Sequence, residues 1–120
     1  MATIKKRKLS GSTDGLGILV GTAVGTAATT IHTAVAGTVA GSYDEIWLYA
    51  YNGHIAAVNL TIEFGGTAIP TNDITVAVAN KSGLMLVAPG LILQNGGVVR
   101  AYAVTDSVIT LTGFVNNITD

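Results

Sequence analysis

Apolar and polar side chains alternate with a period of two through much of this chain, which is the signature of strands with one buried face. The alternation is clearest at Val58–Phe64. Val58, Leu60, Ile62 and Phe64 fall on one face, and Asn59, Thr61 and Glu63 on the other. Residues 45–51 set Ile46, Leu48 and Ala50 against Trp47, Tyr49 and Tyr51, so both faces are bulky and the strand is expected to be covered on both sides. Asn52-Gly53 follows, a strong hairpin signal, and predicts that 45–51 pairs with 55–64.

Further strands are expected at 74–79, 84–87, 91–94, 98–104 and 108–115, with Ile109, Leu111 and Val115 inward in the final one. Pro89-Gly90, Asn95-Gly96-Gly97 and Asp106-Ser107 read as the turns between them. Weaker strands, rich in Ala and Thr, are expected at 29–35 and within 16–24. About eight short strands at this spacing predict an all-β, single-domain antiparallel sandwich or jelly-roll-like barrel over residues 16–120. Residues 1–15 read as an extended basic N-terminal arm.

Composition agrees with this class. Val, Ile and Thr make up 40 of the 120 residues, and β-branched side chains favour a pleated surface. Charged residues are 11% of the chain, less than half the usual share of about 25%. Four of the six basic residues are Lys5, Lys6, Arg7 and Lys8. Beyond them, two basic residues stand against seven acids. A cationic segment on an acidic body suggests docking on an acidic partner, with nucleic acid reached, if at all, only through the arm. The apolar run at 16–28 is shorter than the ~20 residues of a membrane span and is broken by glycines, so no membrane insertion is expected.

Candidate chemistry is sparse. There is no cysteine, which excludes thiol catalysis and cysteine-ligated metal. A metal site would need His32 and His54 to meet with a carboxylate, and nothing in the spacing brings them together. Asp44-Glu45 should point to opposite sides of a strand. Asn72-Asp73 could seed a calcium loop but lacks the alternating acidic ligands of one. No catalytic residue, metal or cofactor is therefore expected. Trp47, Tyr49, Tyr51 and Tyr102 are the candidate interface anchors, since interface cores are poor in charge and rich in aromatics.

Several stretches carry a resemblance: residues 6–15 (KRKLSGSTDG), 43–52 (YDEIWLYAYN), 60–67 (LTIEFGGT), 86–103 (LVAPGLILQNGGVVRAYA) and 110–116 (TLTGFVN). Together they resemble small virion structural proteins of tailed bacteriophages, of the capsid decoration or cement type. The resemblance implies a non-enzymatic homo-oligomer, a trimer among the options. It would be made in the host cytoplasm, bind the major capsid protein and sit on the capsid surface. A head-tail connector or tail component and a glycan-binding adhesion module are the alternatives.

Overall fold

The computed structural model describes residues 2–120. Its nine strands are β1 (Thr3–Lys8), β2 (Ile18–Leu19), β3 (Thr29–Thr33), β4 (Tyr43–Asn52), β5 (Val58–Phe64), β6 (Asp73–Val78), β7 (Met85–Leu93), β8 (Val98–Ala103) and β9 (Ile109–Thr119). The only helical element among the described residues is a 3-10 turn at Gly25–Ala27.

The strands form two antiparallel sheets. Sheet A has the order β1-β9-β4-β7, with β2 also on β9, and sheet B has the order β3-β8-β5-β6. Strands from the two halves of the chain pair in reverse sequence: β1 with β9, β3 with β8, β4 with β7 and β5 with β6. The chain is thus one long hairpin, folded so that successive pairs fall in alternate sheets. The pairings β4·β9 and β5·β8 seal each sheet across its middle.

Period-two alternation builds the core between the sheets. Ile46, Leu48 and Ala50 of β4 and Ile109, Leu111 and Val115 of β9 face Leu60 and Ile62 of β5 and Val99, Ala101 and Ala103 of β8, all fully buried or nearly so. Ile109, Leu111 and Val115 are the inward set expected of the last strand, and Ile46, Leu48 and Ala50, like Leu60 and Ile62, share one face as the alternation groups them.

Three expectations change. The Asn52-Gly53 hairpin does not form, because β4 and β5 lie in different sheets. The Asn52 carboxamide instead organises a crossover. Its Oδ1 accepts from the His54 amide, and its Nδ2 donates to the carbonyls of Ala56 and Val78. Pro89-Gly90 is not a turn but a bulge within β7, where the register against β4 shifts between Ile46 and Trp47. β7 is an edge strand, and edges and bulges are where a sheet tolerates proline. Finally, the sheet begins well before residue 16. The basic segment is extended, but Thr3–Lys8 pairs along its whole length with β9, and Leu9 is buried in the core.

A polar clip joins the sheets at one end. His32 of β3 and Asp44 of β4 are buried and lie 2.7 Å apart through Nε2 and Oδ2. The Ser10 amide donates to His32 Nδ1, so the ring carries its hydrogen on Nε2 and donates it to Asp44. Asp44 also accepts from the Val35 amide and from Asn117 Nδ2.

Candidate interaction face

Residues paired across antiparallel strands point to the same side of a sheet. The register therefore fixes the outer face of sheet A. Ile4, Ile118 and Tyr43 form one row across β1, β9 and β4, and Lys6, Asn116, Glu45 and Ile92 form the next. Lys8, Phe114, Trp47 and Pro89 follow, then Thr112, Tyr49 and Leu86, and finally Leu19, Thr110 and Tyr51. Most of these side chains are aliphatic or aromatic, and the charges are Lys6, Lys8 and Glu45. Leu86 and Ile92 are exposed, as are Ile4, Leu19 and Tyr51. An apolar stretch of sheet this broad on a solvent face is the usual mark of an interaction surface.

The centre of the face is pre-arranged. The Trp47 and Phe114 rings stack with centroids 6.2 Å apart and planes 12° from parallel. Lys6 Nζ sits 4.2 Å from the Phe114 centroid, a cation–π contact that lays its aliphatic stem along the sheet. Trp47 Nε1 donates to Glu45 Oε1 at 2.7 Å, and Asn116 Nδ2 donates to the same oxygen at 3.0 Å. These two donors, the indole above all, hold the Glu45 carboxyl below its usual range against the opposing effect of burial. Gly90 makes room for the indole, since a Cβ there would stand 2.9 Å from the ring.

The structure divides the candidate residues. Trp47, Tyr49 and Tyr51 share this face, with Trp47 and Tyr49 half-buried. Tyr102 does not join them, because it lies opposite Thr61 on the outer side of sheet B. The basic strand is also split by its pleat. Lys6 and Lys8 register with the aromatic face, whereas Lys5 and Arg7 pair with the inward-facing Asn117 and Val115. Arg7 lines a groove of about 450 Å³ with Ser10, His32, Thr33, Asp44 and Asn117. The separation expected for Asp44 and Glu45 is present, with Asp44 inward and Glu45 outward.

The sequence reading missed Tyr43, Phe114 and Ile118. Phe114 was legible from its place in the even-numbered set of the last strand. Ending that strand at residue 115 hid Ile118. The meeting of His32 with Asp44 was also missed, because it depends on β3 and β4 facing each other from separate sheets.

In the groove, Ser10, His32 and Asp44 carry the side-chain types of a hydrolytic triad without its geometry. The imidazole accepts from the Ser10 amide, while Ser10 Oγ accepts from the Thr33 amide. Both imidazole nitrogens are thus committed to holding the Leu9–Ser12 segment and β4 together. Among the described residues, no three His, Asp or Glu side chains converge as metal ligands would. No known protein family, curated protein or solved structure matches the chain.

Proposed function

We propose that this chain is a non-enzymatic virion structural protein that decorates a phage capsid, binding the major capsid protein and neighbouring copies of itself through the outer face of sheet A. The observation that carries this reading is the aromatic and aliphatic face from β1 to β7, with Trp47 and Phe114 stacked at its centre. Interfaces draw most of their affinity from such buried aromatic anchors. Lys6 and Lys8 border the face along β1 and suit a partner with carboxylates at its rim, which would speed and orient docking.

The strand order also favours this reading. Reverse pairing of the two chain halves, laid alternately into a five-stranded and a four-stranded sheet, supports reading the winding as jelly-roll-like, an architecture that recurs in viral shells. That analogy concerns architecture only, and function rests on the face.

The test is reconstitution on undecorated heads. Trp47→Ala should lower occupancy at least tenfold while circular dichroism stays that of a folded β protein. The combined K5Q, K6Q, R7Q and K8Q variant should bind more weakly at low salt and approach the parent as salt rises. Charge substitution is preferred to deletion because removing residues 1–9 would strip β1 and Leu9 from the sandwich. Parent-level occupancy by Trp47→Ala would sink the proposal. Copy number separates the connector alternative, since decoration requires hundreds of copies per virion and a connector ring about six to twelve.

A second reading draws on the same rings. Trp47 keeps part of its surface open and Tyr51 is 37% exposed, so a sugar ring could stack on the face. A glycan-array signal abolished by Trp47→Ala, together with no binding to heads, would favour an adhesion module.

A further inference from the structure

The outer side of sheet B carries a second polar assembly, remote from the aromatic face. Register places Asp73 of β6, Glu63 of β5 and Arg100 of β8 side by side in one row. Glu63 points away from the core yet is only 1% exposed. The Gly25–Ala27 turn reaches over it, and the Gly25 amide donates to Oε2 at 3.1 Å. The other oxygen, Oε1, is shielded from solvent and has no partner, and Asp73 Oδ1 is in the same condition. Arg100 faces Glu63 from the opposite flank but makes no ion pair with it, and its Nε is likewise shielded without a partner.

Neighbouring carboxylates with shielded, unanswered oxygens have lost hydration without regaining hydrogen bonds. A cation between them would give both oxygens a partner. Directly paired strand residues have Cβ atoms about 4.5–5.5 Å apart. From there, one oxygen of each carboxylate can reach the 2.0–2.6 Å or so that Mg²⁺ and Ca²⁺ require. Arg100 apart, the polar residues next to the pair are otherwise occupied. Thr61 and Thr75, in the next row, hydrogen-bond each other at 3.1 Å. Asn72 holds its own loop, accepting from the Ala68 amide and donating to the Phe64 carbonyl.

We propose that Glu63 and Asp73 together bind one hard, oxygen-seeking divalent cation, with backbone carbonyls and water completing its shell. The two acids come from different strands, which is why a search for alternating acids along the chain does not find the pair. With only two carboxylates the site is weak, in the range of about 10⁻⁴ to 10⁻³ M. Its effect is to fasten the edge strand β6 and, through Glu63, the Gly25–Ala27 turn onto sheet B. The inference is independent of what the aromatic face binds.

Thermal unfolding of the chelator-treated full chain tests it, with CaCl₂, MgCl₂ or MnCl₂ at 10 mM-scale concentrations (roughly tenfold or more above the expected constant) against NaCl of equal ionic strength. At least one divalent salt should raise Tm by about 5 °C, reversibly on chelation. Asp73→Asn, half-exposed and tolerant of the change, should abolish the rise, and Glu63→Gln should do so wherever it folds. Asp14→Asn, an exposed acid elsewhere, should keep it. No divalent-specific rise in the parent overturns the proposal, as does an equal rise in Asp73→Asn, which would indicate general screening.

Discussion

At Asn52, a single carboxamide with no solvent exposure makes three hydrogen bonds, which hold the β4–β5 crossover against the end of β6. Asn52→Ala should lower unfolding free energy by about 2–3 kcal/mol, seen as a fall in the urea midpoint with little change in slope, because buried partners lose their bonds. The same dipeptide type behaves differently at Asn95-Gly96. There φ is 60° and 67°, as a type I′ turn requires, and the Gly97 amide closes the turn onto the Gln94 carbonyl. Gly96→Ala should cost about 1–2 kcal/mol through φ alone, since nothing lies within 4 Å of the added methyl. Neither Asn-Gly joins two strands of one sheet. A local motif specifies turn geometry, and which strands it serves is decided by pairing far away in the chain. Glu45 offers a titration at the same scale. Its lowered pKa means that its contribution to stability is present above the unfolded value of about 4.3 and is lost as pH falls through the lower folded value. Trp47→Phe removes the indole donor and should move the Glu45 midpoint, followed by carboxyl NMR, back toward the usual range.

Among the elements, β9 is the most constrained. It lies between β1 and β4 in sheet A and carries Gly113 opposite Leu48. A Cβ at Gly113 would sit 2.0 Å from the Trp47 carbonyl oxygen, a backbone atom that cannot turn aside. Gly113→Ala should therefore cost at least about 3 kcal/mol, read from denaturant melts, or prevent folding. Strand extents were well legible wherever alternation was clean: β5 is Val58–Phe64 as read, and β8, Val98–Ala103, ends one residue short of the 98–104 expected. They were misread where a bulge interrupts the period. β7 runs through Pro89-Gly90 because its free edge needs no amide from proline. β1 escaped notice because four consecutive charges erase any alternation, although the backbone pairs whatever the side chains are.

For the whole molecule, the sandwich class was readable because inward faces declare themselves locally. The folded-hairpin winding was not, since it consists of pairings between residues as distant as Thr3 and Thr119. The His32–Asp44 bond belongs to this scale as well, tying sheet B to sheet A at the end where the β1–β3 connection crosses. His32→Ala should cost about 2–3 kcal/mol in urea unfolding, because the largely buried Asp44 loses a donor. The proposed interaction face was half legible: Trp47, Tyr49 and Tyr51 stand out in one strand, while Phe114 and Lys6 reach them only through register.

The position of β9 bears finally on how the protein is made. Translation is vectorial, and β9 is synthesised after β1, β2 and β4, the three strands it bonds. Until it emerges, the ribosome-bound chain can pair β3, β5, β6 and β8 and also β4 with β7, but β1 has no strand to lie on. The β4 edge that β9 fills and the Trp47 ring that Phe114 stacks on are then left open together. Chaperone binding to nascent chains stalled on an added C-terminal linker should accordingly persist while β9 is still inside the exit tunnel and decline once it clears.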